Sequence, residues 1–298
     1  MAIMVLGGTG FIGSHVIRKL ASANLSTISY DLFSNNTLEE EIRWVKADIL
    51  ELNTVERIFF EYEIDSVIHL IGLPTIGYCR KNPHLSFLLN VMSVQNSLEA
   101  MRKTDTKRIV FASSAAVYGS AFSQMTLKET DATNPATVYG HHKLIAEQLI
   151  RSYSEAYGIE HVILRLFNVY GVDPSIGKDV ISIFLRKAIN CEPIYVHGSR
   201  KVIDFVHVDD VATIFAKSLN KKIVNEIFCV GSGRKTTLKE LTDIFKKTFK
   251  NLDVKYEKAT DDGTGLVAEI DKAESMMEFS PRNPKAGIEK HIVSNIRK

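Results

Sequence analysis

A tyrosine and a lysine stand four residues apart, in the string Tyr139-Gly140-His141-His142-Lys143. In a helix this spacing places both side chains on one face, one turn apart. A lysine ammonium beside a phenol favours the phenolate and lowers the pKa of the tyrosine. Such a tyrosine can act as a general base near neutral pH. The pattern therefore predicts proton transfer, and a pair of residues on a helix surface is the alternative.

Polar side chains follow two apolar runs that are predicted to be strands. Ser113 and Ser114 come after Arg108–Ala112, and Asn168 comes after His161–Phe167. Ligands bind at the carboxyl ends of parallel strands. A serine there can bridge a substrate hydroxyl and the tyrosine, and Asn168 presents an amide to a polar ligand. For Asn168, a role in forming a turn is the alternative.

Three glycines with the spacing G-x-x-G-x-x-G lie directly after the apolar run Ala2–Leu6. Gly7 permits a tight turn, Gly10 lets the backbone approach a pyrophosphate, and Gly13 lets a helix pack closely on the strand. The N-terminus of that helix then presents its partial positive charge to the phosphates. The segment predicts a dinucleotide-binding loop, and a plain glycine-rich turn is the alternative.

Acidic residues end the second and third predicted strands. Asp31 stands 18 positions after Gly13. A carboxylate at this place accepts hydrogen bonds from the adenosine ribose and repels a 2′-phosphate, so Asp31 favours NAD over NADP. Asp48 is a candidate contact for the adenine, with an ordinary carboxylate at a strand end as the alternative.

Strand-like and helix-like stretches alternate through the first half of the chain, and these elements must position the side chains above. Short apolar runs predict strands, and apolar residues at helical spacing predict helices. The predicted strands are Ala2–Leu6, Leu25–Asp31, Ile42–Ala47, Val67–Ile71, Arg108–Ala112 and His161–Phe167. The predicted helices are Phe11–Ala23, Asn53–Tyr62, Leu85–Arg102 and Val138–Tyr157. The alternation predicts a parallel sheet with helices on both faces.

Shorter elements and more frequent turns follow in the second half. Its predicted helices are Val180–Ile189, Asp209–Leu219 and Leu238–Phe249. A capping box at Thr237 and Glu240 opens the last of them. We predict an α/β protein, with a Rossmann-type doubly wound parallel sheet and a smaller C-terminal α/β substrate-binding domain. The predicted domains are residues 1–167 and 168–298, and segments around residues 200–220 are expected to pack back on the first.

Composition excludes several classes of protein. The 298 residues carry a net charge of only +2, and no basic cluster is present, so a nucleic-acid binder that works by charge is not expected. No apolar run reaches the length of a membrane span, and the N-terminus lacks the features of a signal peptide. The histidines at 141 and 142 point about 100° apart on a helix, so no metal site is predicted. Three widely spaced cysteines predict buried thiols in a reducing cytoplasm.

In these motifs the sequence resembles an extended short-chain dehydrogenase/reductase, specifically the NAD-dependent epimerase/dehydratase family that acts on nucleotide sugars. The matching segments are ordered and cover nearly the whole chain. They are Gly7–Gly13, Asp31, Asp48, His69–Gly72, Asn90–Val91, Ser113–Ser114, Tyr139 with Lys143, Phe167–Gly171, Val180–Phe184, Asp204–Asp210, Gly231–Gly233 and Phe279–Arg282.

The resemblance implies a catalytic trio of Ser114, Tyr139 and Lys143, with NAD as the cofactor. The implied cofactor-binding residues are Gly7, Gly10, Phe11, Ile12, Gly13, Asp31, Asn36, Asp48, Ile49, Leu70, Gly72, Asn90, Tyr139 and Lys143. The implied substrate-binding residues include Ser114 and Asn168. Similar family members pair two long helices with those of a second subunit. The apolar positions of Leu85–Arg102 and Val138–Tyr157 are too many for one buried face, so a homodimer is predicted.

The residues after Ser114 narrow the chemistry that the resemblance implies. Family dehydratases carry Thr-Asp-Glu at this point, whereas here Ala115 and Ala116 follow the serine. This favours a nucleotide-sugar 4-epimerase in which Tyr139 removes the 4-hydroxyl proton while the C4 hydride passes to NAD⁺. An NAD(H)-linked 4-ketosugar reductase or sugar dehydrogenase, and an NAD-binding regulatory protein without catalysis, are the alternatives.

One position departs from the family pattern. An arginine that grips the nucleotide pyrophosphate commonly stands where this chain has Ile203. Arg200 and Lys201 lie just upstream and are candidates to replace it, since a diphosphate needs cationic donors. Solvated loop charges are the alternative. A UDP-sugar is the first expectation for the substrate.

Overall fold

The computed structural model describes residues 2–33, 42–120, 124–172 and 179–296. Contacts divide the chain into two compact units. Unit 1 contains Met1–Gly119, Asp131–Arg165 and Val211–Phe228, and unit 2 contains Ser120–Thr130, Leu166–Asp210 and Cys229–Lys298. The two units do not meet at a single boundary at residue 167. Ser120–Thr130 groups with unit 2, and Val211–Phe228 groups with unit 1.

The strands alternate with helices, as the sequence predicts. In chain order the strands are β1 Ala2–Leu6, β2 Thr27–Asp31, β3 Arg43–Lys46, β4 Ile64–His69, β5 Arg108–Ser114, β6 Gln124–Leu127, β7 Glu160–Leu166, β8 Asn168–Tyr170, β9 Ile194–His197, β10 Val202–Ile203, β11 Phe205–His207, β12 Glu226–Val230, β13 Thr236–Thr237, β14 Val254–Glu257 and β15 Gly265–Ala268. The helices are α1 Phe11–Ser22, α2 Leu52–Glu61, α3 Ile76–Lys81, α4 Pro83–Phe87, α5 Ser93–Thr104, α6 Val138–Tyr157, α7 Val180–Ile189, α8 Val208–Lys217, α9 Leu238–Thr248, α10 Asp271–Met277 and α11 Pro284–Ile296.

A seven-stranded sheet in the order β12-β7-β5-β4-β1-β2-β3 forms the framework of unit 1. The pairs β3–β2, β2–β1, β1–β4 and β4–β5 are parallel. The central strands are buried on both faces, which is why they are nearly continuous apolar runs in the sequence. This confirms the predicted α/β class and its doubly wound sheet.

The strand order reverses between β1 and β4, and this point fixes where a ligand fits. The chain leaves β1 for β2 on one side, and β4 pairs with β1 on the other, with Leu6 opposite His69. Loops that leave neighbouring strands in opposite directions open a crevice at their carboxyl ends. The predicted dinucleotide loop follows β1, at this crevice.

Unit 2 is built from smaller sheets. A four-stranded sheet has the order β13-β10-β15-β6, and β11–β8 and β14–β9 form two-stranded parallel sheets. Its hydrophobic core gathers apolar side chains of α7, α9 and α11 with those of β9 and β11. The predicted capping box opens α9, where Thr237 accepts from the Glu240 N–H and the Glu240 carboxylate accepts from the Thr237 N–H.

The predicted helix Leu85–Arg102 is helical over its whole length, but it is not α-helical throughout. It divides into α4, a π-helical turn at Leu88–Met92, and α5. A π turn accommodates one extra residue, so it shifts the helix face on either side of it, and such turns are frequent at functional sites. Asn90 lies inside the turn and is fully buried.

Asp209 and Asp210 lie in the first turn of α8. Asp210 accepts hydrogen bonds from the Arg282 guanidinium within unit 2. In the described part of the chain, no helix is long and apolar enough to cross a membrane. The same residues contain no group of three histidine, cysteine or acidic side chains arranged to hold a metal ion.

Candidate active site

The helix α6 carries the tyrosine and the lysine, and its bounds agree with the sequence prediction. Thr137 caps the helix by accepting a hydrogen bond from the Gly140 N–H at 3.0 Å. Gly158 ends it in the left-handed conformation, with φ of +70°. Tyr139 and Lys143 both lie on the buried face, 8 % and 4 % exposed.

The Lys143 ammonium is held at the carboxyl end of the sheet. Its Nζ donates to the Ala112 carbonyl oxygen at 2.8 Å and lies 4.7 Å from the centroid of the Phe111 ring. The centroid of the Tyr139 ring is 6.0 Å away. Burial lowers the pKa of Lys143 to about 8, opposed by the negative charge of Glu147.

The Tyr139 phenol differs from the expectation of a lowered pKa. Burial raises its pKa to about 12, and a hydrogen bond with Ser114 acts in the opposite direction. The physical reason is that the phenolate would lie in a desolvated place, while the lysine ammonium is directed at a backbone carbonyl of β5. A phenol in this setting needs positive charge nearby to act as a base at neutral pH.

The structure separates the roles of the two serines at the end of β5. The Ser114 hydroxyl hydrogen-bonds Tyr139 and also accepts from the Ala116 N–H at 3.1 Å, which caps a 3₁₀ turn at Ala115–Tyr118. The Ser113 hydroxyl points elsewhere and donates to the Glu147 carboxylate. Ser114 is therefore the serine that the geometry brings to the tyrosine.

The glycine loop after β1 has the close approaches that its sequence predicts. Gly7 has φ of +83°, which favours glycine. A Cβ at Gly13 would come within 2.1 Å of the Gly7 carbonyl oxygen, so the helix packs against the loop there. A Cβ at Gly10 would meet only that same oxygen, at 3.3 Å, so its outer side is open. Gly10 has no side chain that could cap α1, so the N-terminus of this helix can bind an anion.

The segment after β4 connects the glycine loop with Lys143. A Cβ at Gly7 would lie 3.0 Å from the Ile71 nitrogen, and a Cβ at Gly72 would lie 3.3 Å from Lys143 Nζ. Leu70 joins the sheet by donating its N–H to the Leu6 carbonyl at 2.9 Å. Gly7, Leu70 and Gly72 lie along one edge at the carboxyl ends of β1 and β4. Such an edge of accessible backbone fits a dinucleotide.

The Asp31 carboxylate organises the glycine loop. It accepts hydrogen bonds from the Thr9 N–H at 3.2 Å and from the Thr9 hydroxyl at 2.7 Å. Its other oxygen accepts from the Leu32 N–H at 2.8 Å. Asp48 accepts a hydrogen bond from the Leu50 N–H at 2.9 Å, so one of its carboxylate oxygens stabilises a local turn.

The remaining predicted cofactor residues lie on the same unit. Phe11 and Ile12 open α1 and are half-buried. Ile49 is buried, and its carbonyl accepts from the Asn96 amide at 2.9 Å. Asn90 accepts from the Leu73 N–H at 3.0 Å and donates to the Leu73 carbonyl, next to Gly72. The prediction for Asn36 falls outside the described residues.

Apart from Ser114, which lies in unit 1, the predicted substrate residues lie in unit 2. Asn168 is exposed on β8, and its side-chain amide lies 3.4 Å from the Asp204 carbonyl oxygen. Arg200 pairs with Asp262, with Nε 3.0 Å from Oδ2, and Lys201 pairs with Asp261. The two cations already have carboxylate partners, which the sequence analysis did not foresee. Ile203 lies on β10 and offers no donor to a phosphate.

Sequence reasoning missed a buried ion pair beside the site, formed by Glu147 and Arg165. Arg165 Nη2 lies 2.8 Å from Glu147 Oε2. The available signal was the helical spacing, since Glu147 follows Lys143 by four residues and must share its face. The partner Arg165 is on β7, and no local pattern connects it with the helix.

Comparison with known proteins agrees with this geometry. Residues 3–231 match the sequence profile of the NAD dependent epimerase/dehydratase family. A putative UDP-glucose 4-epimerase of Methanocaldococcus jannaschii is 39% identical over 251 residues, covering 82% of this chain and 81% of that protein.

Two similar solved structures are UDP-glucose 4-epimerases. One, from Thermotoga maritima with UDP-glucose, has a TM-score of 0.91 and 27% identity, covering 100% of this chain and 99% of that chain. Another, from Thermus thermophilus in complex with NAD, has a TM-score of 0.89 and 26% identity, covering 98% of each chain. Because the family match spans most of the chain and agrees with its sheet order and its glycine loop, this protein belongs to the NAD-dependent epimerase/dehydratase family of extended short-chain dehydrogenases/reductases.

Proposed function

We propose that the protein is an NAD-dependent nucleotide-sugar 4-epimerase that works through a transient 4-keto sugar. The observation that carries the proposal is the pairing of Tyr139 with Lys143 on the buried face of α6, with Ser114 hydrogen-bonded to the phenol. Ala115 and Ala116 follow Ser114, where family dehydratases carry acidic residues, so the chain lacks their elimination chemistry. The relatives described above, which are named as UDP-glucose 4-epimerases, support the same activity.

NAD, when bound, supplies the acceptor and the donor for the hydride at C4 of the sugar. The chain itself handles the proton. Tyr139 takes the proton of the 4-hydroxyl as the alcohol becomes a ketone, and it returns that proton when the ketone is reduced on its opposite face. Ser114 holds the phenol by its hydrogen bond, and the charge of Lys143 offsets the cost of forming a buried phenolate. The proton and the hydride are both returned, so the reaction consumes no cofactor.

We assign the nucleotide part of the substrate to polar residues of unit 2, with a UDP-sugar as the first candidate. Asn168 is exposed and offers an amide. Arg200 and Lys201 offer the cationic donors that Ile203 lacks. Each cation is paired with an aspartate. A bound diphosphate would therefore take the place of that aspartate as the anionic partner.

Purified protein incubated with UDP-, dTDP- and GDP-sugars tests the proposed function, with products scored from anomeric signals by NMR. The expected result is interconversion of a pair of 4-epimers without consumption of NADH. Stoichiometric oxidation of NADH would instead select the 4-ketosugar reductase. If the protein binds NAD but converts none of the sugars, the epimerase assignment is wrong.

We also propose that two copies of the chain pair through the helices of unit 1. Leu85, Phe87 and Ile145 are 37 to 38 % exposed on α4 and α6. The same helical segments also carry half-buried apolar side chains, which are Leu88, Leu89, Met92, Leu144 and Leu149. A second copy would cover this apolar face.

The cytoplasm is the compartment that we propose. Cys79, Cys191 and Cys229 form no disulfide; Cys79 and Cys229 are buried, whereas Cys191 is exposed, so the prediction of buried thiols is wrong for Cys191. Free thiols persist in a reducing compartment. Nucleotide sugars as substrates agree with the same location.

A further inference from the structure

A cluster of buried polar side chains lies one helical turn along α6 from Lys143. Glu147 is 1% exposed and Arg165 is 3% exposed. The two form a bidentate ion pair, with Arg165 Nη2 at 2.8 Å from Glu147 Oε2 and Arg165 Nε at 3.1 Å from Glu147 Oε1. Both charges are therefore fixed in position, with little freedom to turn.

The cluster connects β7 with the two elements that carry the proposed catalytic residues, β5 and α6. The Ser113 hydroxyl donates to Glu147, and Arg165 Nη1 donates to the Tyr118 hydroxyl at 2.9 Å. Ser113 directly precedes Ser114 on β5, and Tyr118 ends the 3₁₀ turn that Ser114 caps. The ion pair thus connects the end of β5 and its turn with α6 and β7.

Stability alone does not account for such a cluster. Removing two charges from water costs more than their attraction returns, unless the geometry is good and the remaining polar groups are satisfied. Apolar residues of similar volume often serve stability equally well at such places. Here every carboxylate oxygen of Glu147 has a donor, so the arrangement specifies one position of α6 against β5.

We propose that Glu147, held by Arg165, is a positioning residue for Tyr139 and Lys143, which fixes α6 against the end of β5 and places a negative charge one turn from the Lys143 ammonium. The proposal rests on the proposed function in that it takes Tyr139 and Lys143 as the reacting pair.

The surroundings of Lys143 show what this charge does. Burial lowers the pKa of Lys143, whereas Glu147 on the same helix and Cys79 on α3 raise it. His69 at the end of β4 is neutral, because burial and then the Lys143 charge lower its pKa to about 3. The β5 side contributes the Phe111 ring and a carbonyl oxygen. Among the groups that oppose the effect of burial, Glu147 therefore contributes most to keeping the Lys143 ammonium protonated.

Titration of the Lys143 side chain by NMR, in protein labelled at lysine Cε, tests the electrostatic part without any substrate. The Lys143 signal is assigned by its loss in Lys143→Met. In Glu147→Gln the midpoint should fall by about one pH unit, since an opposite charge has been removed. Glu160→Gln is the matched control, because it removes the carboxylate partner of another buried arginine, Arg108, at 2.7 Å in the same unit. The control should leave the Lys143 midpoint unchanged.

The pH dependence of kcat tests the effect on the reaction. A midpoint that falls from about 8 to about 7 reduces the protonated fraction at pH 8 about fivefold and hardly changes it at pH 6. The loss in Glu147→Gln should therefore grow with pH, while KM changes less than about twofold. If Glu147→Gln does not fold, the double variant Glu147→Leu/Arg165→Met removes both charges, and we expect its Lys143 midpoint to fall in the same direction.

Three results would overturn the proposal. They are an unchanged Lys143 midpoint, a loss of kcat that is equal at all pH values, and the same loss in Glu160→Gln. Failure of the proposed function looks different, because the parent protein would then convert no sugar while the NMR titration would still report the influence of Glu147.

Discussion

At the scale of single residues, burial shifts the pKa values of the two proposed reacting groups in opposite directions. Burial raises the pKa of the Tyr139 phenol to about 12 and lowers that of the Lys143 ammonium to about 8. Both shifts favour the neutral forms, because a desolvated place disfavours charge of either sign. The proposed mechanism needs the phenolate and the ammonium, so we expect the groups that oppose burial to decide the activity. These are the Ser114 hydroxyl for the phenol, and Glu147 followed by Cys79 for the ammonium.

The first prediction concerns the base. Tyr139→Phe should keep the fold and the affinity for NAD but lower kcat by at least ~100-fold, the usual scale of general acid–base catalysis. Tyr153→Phe is the matched control, because Tyr153 lies on the same helix and bonds Gln95 at 2.6 Å, away from the reacting pair. Activity of Tyr139→Phe within threefold of the parent would remove Tyr139 from the mechanism.

A second prediction concerns the choice of cofactor. Asp31→Ser should weaken NAD binding. It should also lower the ratio of the affinity for NAD to the affinity for NADP roughly ten- to a hundredfold, the scale of a hydrogen bond to a charged group. Thr9→Val separates the two roles of the carboxylate, because it removes the 2.7 Å bond to Asp31 and keeps the charge. Affinities from calorimetry should show weaker NAD binding in Thr9→Val with an unchanged NAD:NADP ratio. An unchanged ratio in Asp31→Ser would show that Asp31 does not select the cofactor.

At the scale of elements, the π turn between α4 and α5 matters because it turns Asn90 inward. The Asn90 amide satisfies both backbone groups of Leu73 and donates to the Ser86 hydroxyl at 3.2 Å. Ser86 in turn bonds His142 Nδ1 at 2.9 Å, on α6 next to Lys143. The loop after β4 is therefore tied to two helices through one side chain.

We expect Asn90→Leu to lower the free energy of unfolding by about 1–3 kcal/mol, because the half-buried Leu73 N–H loses its acceptor and the Leu73 carbonyl keeps only the Cys79 thiol as a donor. The same change should also lower kcat, since Gly72 beside Lys143 loses its anchor. Thr106→Val is the control, because it removes a buried hydrogen bond to the Ile64 carbonyl at the opposite end of β4. Urea unfolding should show a loss for both variants, and kcat should fall only for Asn90→Leu. Equal kcat values in Asn90→Leu and Thr106→Val would show that Asn90 does not anchor Gly72 beside Lys143.

The loop before β10 gives a prediction about the substrate. If Arg200 and Lys201 hold a diphosphate, Arg200→Ala or Lys201→Ala should raise KM for a nucleotide sugar roughly tenfold and hardly change kcat. Asp261→Asn and Asp262→Asn free these cations and should lower KM. Steady-state kinetics with the best sugar of the panel measures both effects. Unchanged KM in all four variants would show that the loop does not contact the substrate.

At the scale of the whole molecule, the exposed apolar side chains of α4 and α6 predict a dimer. Light scattering at micromolar concentration should give twice the chain mass of 33.4 kDa. Ile145→Glu places a charge in the proposed contact and should yield monomers. Tyr195→Glu changes another exposed apolar side chain, in unit 2, and should leave the mass unchanged. A parent protein that is monomeric would contradict the proposed dimer.

The sequence by itself determined the alternation of strands and helices, the glycine loop and the extent of α6. These features depend on local patterns: apolar periodicity, a cap at Thr137 and a spacing of four between Tyr139 and Lys143. Their bounds differ from the structure by only a few residues, as at β2, which begins at Thr27 rather than Leu25. The π turn escaped prediction because an inserted residue leaves no distinct apolar pattern.

Only the tertiary structure decided where the lysine ammonium points and which charges have partners. Arg200 and Lys201 look free in the sequence, yet aspartates some sixty residues away pair with them. Arg165 and Glu147 lie on different elements, and their pairing depends on how α6 packs against β5 and β7. Electrostatics depends on distance and burial, and both are properties of the folded chain, which local sequence patterns do not contain.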